Sequence, residues 1–302
     1  MSDLLLQPDS LREPLQDAWS DEHNPAGLDG IEFIEYATSR PQALGHVLEM
    51  MGFRPVARHR SREVTLYRQG ELNIVVNAHP VDGEHTAADA RPALAAIALR
   101  VRDARAAYRH VLERGAWEVP THPEAMELNI PAIHGVGGSR IYFVDRWRDF
   151  SIYDVDFIPI PSVDAQPPAV AGIHFFGIVQ YIGLGRTADW TAFYQALFGI
   201  VPIPDAQRYG ILPGGTLLRA PAREPGHGFL LQLIEPQSDD AEDDERWQRI
   251  GLGVPDVLAA VRALRALGME FVETEAAHTE QRGALTRTYL GSVVFELVHS
   301  PR

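Results

Sequence analysis

The chain of 302 residues contains no cysteine. Disulfides, thiolate metal sites and cysteine nucleophiles are therefore excluded, and nothing in the sequence marks an oxidising compartment. Long apolar runs are missing too. None approaches the roughly 20 residues that a membrane-spanning helix needs. The opening stretch has a short Leu4-Leu5-Leu6 run without a basic region before it, so no secretory signal is expected there. These absences point to a cytoplasmic protein. Basic residues are also in deficit. With 27 Lys and Arg against 41 Asp and Glu, the net charge is −14. A nucleic-acid partner is disfavoured, because phosphate binding rests on concentrated positive charge. Part of the acidity sits in Ser238–Glu245, which reads as a solvated loop rather than a metal site, since packed like charges repel.

What the chain does contain is a globular composition, 45% hydrophobic and 23% charged, with length for two domains. It also contains a repeat. Four segments each run from an apolar strand through a short turn and an amphipathic helix to a glycine: Gly52, Gly115, Gly199 and Gly268. In the fourth, Val257, Val261, Leu264 and Leu267 recur at helical spacing, with Pro255 or Asp256 suited to the helix start. In the third, Trp190, Phe193, Tyr194 and Leu197 form the apolar stripe and read as core. Strand-like runs follow each helix. They include Val64–Tyr67, Leu72–Val76, Met126–Ile130, Ile141–Val144, Gly228–Ile234 and Val293–Val298. The unit is βαβββ, four times over. The fold class expected is α+β, with four such modules paired into two open β-barrels backed by helices. The Pro-rich stretch beginning at Ile158 marks the break between pairs. The division expected is a tail over 1–27, a first barrel over 28–157, a linker over 158–170 and a second barrel over 171–302.

Paired βαβββ units resemble the vicinal-oxygen-chelate superfamily. GIEFIEYA, MGFRPVARHRSREVTLYRQGELNIVVNAHP, RGAWEV, MELNIPAIHGVGGSRIYFVDRW and SIYDVDF resemble bacterial 4-hydroxyphenylpyruvate dioxygenases more closely. The likeness continues through ADWTAFYQALF, IGLGVPDVLAAVRALRALGMEFVET and VVFELV. It implies Fe(II) held in the second barrel by two His and one Glu, leaving open positions for a chelating 2-oxo acid and O2. It implies a place in aromatic 2-oxo acid metabolism (tyrosine catabolism), with homogentisate and CO2 as products. It implies a first barrel without metal.

The family's residues carry over unevenly. The family Glu maps onto Glu296. The second family His falls on Arg249, and the first on Gly177, or on Ile178 with another gap placement. His174 and His299 each lie an odd number of residues from the ligand positions, so strand alternation turns them away unless a bulge intervenes. His227 and His278 fall in expected loops. Gln232 lies on a strand where other superfamily members place a ligand. The family's substrate-contacting Gln has no counterpart in Leu285–Leu290. The family also continues past its Glu with a gating helix, whereas this sequence runs six residues past Glu296, so water exclusion is expected to come from elsewhere.

Arg249 and Glu296 occupy positions that the family brings to one ion, so they are expected to form a salt bridge that replaces the metal charge. A pocket lined by Gln232, Arg249 and Glu296 is expected, with Gly177 leaving room where an imidazole would stand. Gln232, Arg249 and Gly177 are the expected substrate contacts, and Glu296 and Arg249 the expected catalytic pair. In the first barrel, Glu32 and Ala96 are read at the ligand-equivalent positions, and Phe53, Tyr67, Leu128, Tyr142 and Trp147 as core or turn residues. Three functions remain open. One is a metal-free member that binds a small organic acid or partners a true paralogue. Another is an active Fe(II) dioxygenase. The third is a cofactor-independent enzyme with Glu296 as general base and Arg249 as electrophile. No cofactor is expected under the first and third. The partner expected is the acid, with self-association into a homo-oligomer left open.

Overall fold

The computed structural model describes residues 23–78, 91–120, 128–148, 150–204, 214–236, 244–273 and 283–301. The first repeat is complete: β1 (Leu28–Ala37), α1 (Pro41–Met50), β2 (Arg54–His59), β3 (Val64–Gln69) and β4 (Leu72–Asn77). The second contributes β5 (Ala93–Val101), α2 (Ala104–Leu112), β6 (Ala132–His134) and β7 (Arg140–Val144), followed by α3 (Ile152–Asp156) and β8 (Phe157–Pro159). The third is β9 (His174–Tyr181), α4 (Thr187–Phe198), β10 (Val201–Pro202), β11 (Thr216–Arg219) and β12 (Leu230–Ile234). The fourth is β13 (Arg246–Val254), α5 (Val257–Ala266), β14 (Ala284–Leu285) and β15 (Phe295–His299).

Two mixed sheets result, in the orders β6-β7-β5-β1-β4-β3-β2-β8 and β10-β11-β12-β9-β13-β15-β14. At the centre of each, the first strands of two repeats run antiparallel, β1 against β5 and β9 against β13. Each of these four strands has a late strand of its own repeat beside it in parallel. The architecture is the expected α+β arrangement of curled sheets backed by helices.

The helices start and stop where backbone chemistry directs. Asp103 and Asp256 cap α2 and α5, each carboxylate accepting the amide N–H three residues on at 2.8 Å. All four repeat glycines take positive φ, between 69° and 98°, which closes the helix end at little steric cost. Strand alternation then sorts the side chains. One face of each sheet meets the helices in a continuous apolar cluster that includes Ile34, Ile97, Ile178, Ile250, Leu231 and Leu297. This cluster also joins the two halves, with Phe143 of β7 against Phe198 of α4 at 6.2 Å between ring centroids. The opposite, inward face of the first sheet is lined by Phe33, Val56, Val64, Val75, Ala98 and Phe157.

Two expectations need correction. Ile158 and Pro159 are not linker, because β8 pairs with β2 and extends the first sheet. The rest of that stretch is tied down: the carbonyl of Pro167 accepts from the amide of Gly70 at 2.7 Å, and that of Ala165 accepts from Arg68 at 2.9 Å. Of the strand read over Met126–Ile130, residues 126 and 127 lie outside the described residues. Residues 128–130 are not a strand; pairing begins at Ala132.

Candidate functional site

The second sheet sets the site by register. Arg249 of β13 pairs with Val179 of β9, which pairs in turn with Gln232 of β12. Two residues along, Gly251 pairs with Gly177 and with Glu296 of β15. Paired residues share a face, so Arg249, Gln232, Val179, Gly177 and Glu296 all lie on one side of the sheet. The side chains of Arg249 and Glu296 meet there, with Nε donating to Oε2 at 2.8 Å. Both are buried, 2% and 4% exposed. Arg249 Nη1 donates to Oε1 of Gln248 at 3.0 Å. Its Nη2 is buried and has no hydrogen-bond partner among the described residues. A guanidinium so held keeps one donor aimed at nothing, a costly state away from water. Gln232, on the same face but one strand beyond Val179, is buried and donates from Nε2 to the carbonyl of Gly214 at 2.6 Å.

Gly177 lies on the expected face but leaves no room. A β-carbon there would stand 2.5 Å from the carbonyl oxygen of Leu230, so an imidazole at this position requires the backbone of β12 to move. Ile178, the alternative placement, pairs with Ile250 and belongs to the helix-facing core. His174 is satisfied where it stands, its ring nitrogens 3.1 Å from Ser300 Oγ and from the carbonyl oxygen of Gly172. His299 is exposed, and His278 lies outside the described residues. The Leu285–Leu290 run places Leu285 opposite Glu296 and turns Thr286 Oγ1 to the amide of Phe295 at 2.9 Å. An Fe(II) centre of two imidazoles and a carboxylate does not fit these residues. Two of the three positions offer no donor, and the carboxylate at the third is engaged by a cation.

Among the described residues, one group of metal-ligating side chains comes together elsewhere. Asp29, Glu224 and His227 place one ligand atom each within 4.8 Å of the others, at the junction between the two sheets. Asp29 already accepts from the amides of Arg223 and Glu224 at 3.1 and 2.9 Å, and Glu224 pairs with Arg148. Of the acidic run, residues 238–243 lie outside the described residues. Glu245 serves structure, accepting from the indole of Trp190 at 2.9 Å and from the amide of Gly183 at 3.1 Å.

The first sheet holds an inward-facing group that the sequence reading passed over. The row Phe33, Ala98 and Tyr142 corresponds to Gly177, Gly251 and Glu296 of the second sheet, and Glu35 pairs with Ala96 as Val179 pairs with Arg249. The ligand-equivalent positions are therefore Phe33, Ala96 and Tyr142, not Glu32. A register shift between Ile31 and Phe33 displaces Glu32, which instead accepts from Arg100 Nε at 2.6 Å. Glu35 faces the cavity of the first module and accepts from Asn77 Nδ2 at 2.9 Å. Burial raises its pKa above the ordinary carboxylate range, against the opposing pull of the Asn77 hydrogen bond and of Arg140 and Arg62. The signal available was EFIEYA, two carboxylates three residues apart on an otherwise apolar strand. Of the residues read as first-barrel core, Phe53 and Tyr67 are buried, and Leu128 and Tyr142 pack on the inner cluster. Trp147 packs on that cluster too and carries the guanidinium groups of Arg100 and Arg148 over its ring, 4.8 and 4.4 Å from the centroid.

Comparison with known proteins places this geometry in context. Residues 22–158 match the family model described as the N-terminal part of hydroxyphenylpyruvate dioxygenase. The chain is 36% identical over 263 residues to the 4-hydroxyphenylpyruvate dioxygenase of Pseudomonas sp. (strain P.J. 874), covering 82% of this chain and 72% of the relative. It is 35% identical to a 3-dehydroshikimate dehydratase of Pseudomonas aeruginosa, covering 82% of this chain but only 40% of that protein. A solved fusion of a xylose isomerase-like TIM barrel with 4-hydroxyphenylpyruvate dioxygenase shares the fold, with a TM-score of 0.68 at 20% identity over 97% of this chain and 51% of the other. No helix among the described residues is long and apolar enough to cross a membrane.

Proposed function

The chain belongs to the 4-hydroxyphenylpyruvate dioxygenase family, and from that premise we propose that its second module binds a small organic acid without the family's iron. The observation that carries this reading is the state of Arg249. Its Nε is engaged by Glu296 and its Nη1 by Gln248, while the buried Nη2 has no partner among the described residues. A ligand carboxylate oxygen supplies the missing acceptor and gains a charge-assisted hydrogen bond in a site screened from water. Glu296 holds the guanidinium in place, and the amide of Gln232 lies on the same face to meet a second polar group of the ligand. With the guanidinium occupying the place of a metal ligand, the site orients an anion and carries no oxidation step.

The relatives support a choice of acid class. Aromatic 2-oxo acids fit the family. The similarity to a 3-dehydroshikimate dehydratase, over less than half of that protein's length, adds hydroxylated ring acids and a role as the acid-binding partner of a separate catalytic domain. Calorimetric titration with 4-hydroxyphenylpyruvate and, separately, with 3-dehydroshikimate tests the reading. The parent chain is expected to bind at least one of them. The paired variant Arg249→Gln with Glu296→Gln, which removes both charges together and so avoids a lone buried ion, is expected to lose that binding. Equal affinity in the paired variant overturns the proposal.

A further inference from the structure

The first module is not merely a support. Its inward face carries a cleft, open to solvent on one side, of about 340 Å³, within the range of roughly 300–1,000 Å³ typical of small-molecule sites. Small barrels that serve only as scaffold fill their interior with aliphatic side chains. Opposite Glu35 and Phe33 the central strand β5 carries only the small side chains of Ala96 and Ala98, which leaves space beside them. The matching position on β13 carries Arg249.

The lining falls into two parts. One wall is aromatic: Phe33 lies 5.9 Å from Tyr142, and Phe157 stands 5.2 Å from His59 and 5.6 Å from Tyr153, between ring centroids. The other is polar. Glu35 and Asn77 are joined on the floor, and Arg140 and Arg62 are exposed at the rim, both close enough for their charge to act on Glu35. Arg140 Nη1 also donates to the Tyr142 hydroxyl at 3.4 Å.

We propose that this cavity is a second ligand site, one that takes a small aromatic carboxylate with its ring against Phe33, Tyr142 and Phe157 and its charge toward Arg62 and Arg140. A flat ring suits walls of edge-oriented aromatics, and the arginine fork suits a carboxylate. The site is separate from the Arg249–Glu296 pair and does not rest on the reading of that pair.

The test is a titration of the full chain with benzoate and with 4-hydroxybenzoate, followed by calorimetry and by saturation-transfer NMR. The parent is expected to bind. Val75→Phe, which projects a ring into the cavity from β4, is expected to abolish binding. Arg140→Gln, at an exposed position where folding is not at stake, is expected to weaken it about tenfold. The paired variant Arg249→Gln with Glu296→Gln is expected to bind benzoate as the parent does. No saturation transfer in the parent at millimolar benzoate overturns the proposal. So does benzoate binding that survives Arg140→Gln unchanged, or binding that is lost only in the Arg249 and Glu296 pair. Should Val75→Phe fail to fold by circular dichroism, the Arg140→Gln comparison decides alone.

Discussion

Arg249 and Glu296 stand on neighbouring parallel strands, 2.8 Å apart from Nε to Oε2, and both are withdrawn from solvent. In the proposed reading, this fixed cation stands where the family resemblance implies a ligand of the iron. The proposed acid binding and the first prediction both rest on that pair.

Removing one member alone leaves the other buried and unmatched. Arg249→Gln is expected to destabilise the chain by about 3–5 kcal/mol, whereas Arg249→Gln combined with Glu296→Gln recovers most of the loss. Urea denaturation of the parent, both single variants and the pair checks this as a double-mutant cycle. A purely additive cycle would show that the two residues do not depend on each other.

Rebuilding a metal centre needs a different partner from the one that alignment suggests. Position 177 has no space for a β-carbon beside the Leu230 carbonyl, while Val179 lies directly opposite Arg249 on the same face. Val179→His with Arg249→His is expected to bind Co(II) with the absorption of a mixed nitrogen and oxygen site, using Glu296 as the third ligand. Gly177→His with Arg249→His is expected to bind poorly and to lower the melting temperature. The reverse order of affinities would mean that the register on β9 has been misassigned.

Glu35 gives the first module a pH dependence of known sign. Its folded pKa is raised above the unfolded value of 4.5. Its contribution to stability is therefore fully present below that value and declines as pH rises through the folded pKa. Asn77 on β4, Arg140 and Tyr142 on β7, Arg62 beyond β2, His59 on β2 and Asp156 on α3 line the same cavity. Glu35→Gln keeps the acceptor that Asn77 needs and cannot ionise. The stability of the variant relative to the parent is expected to increase as pH rises from the unfolded value of 4.5 through the folded pKa, read by thermal melts across a pH series. A difference that is flat with pH would place Glu35 in contact with bulk water.

Much of this was legible in the chain itself because it rests on local or periodic rules. The glycines at 52, 115, 199 and 268 close their helices in the left-handed region, and Asp256 caps α5. The meeting of Arg249 and Glu296 was expected instead from the family resemblance, which brings both positions to one ion. What escaped depends on contacts between distant segments. Nothing near Gly177 in sequence announces the Leu230 carbonyl. The shift between Ile31 and Phe33 moves Glu32 off the inward row, and a one-residue slip of this kind changes which face a side chain joins. The inward Glu35 was missed for the same reason. The pairing of β8 with β2 joins residues about a hundred positions apart, beneath a composition that reads as linker.

The central claim is that the second module recognises an acid through Arg249 and not through iron. The most direct measurement is calorimetric titration of chelator-stripped protein with the acid that it binds, repeated under anaerobic conditions with Fe(II) added in excess. The same affinity is expected in both titrations, with no iron retained after desalting beyond that of the Arg249→Gln and Glu296→Gln pair. Binding that appears only with Fe(II), accompanied by stoichiometric iron in the desalted parent, would contradict it.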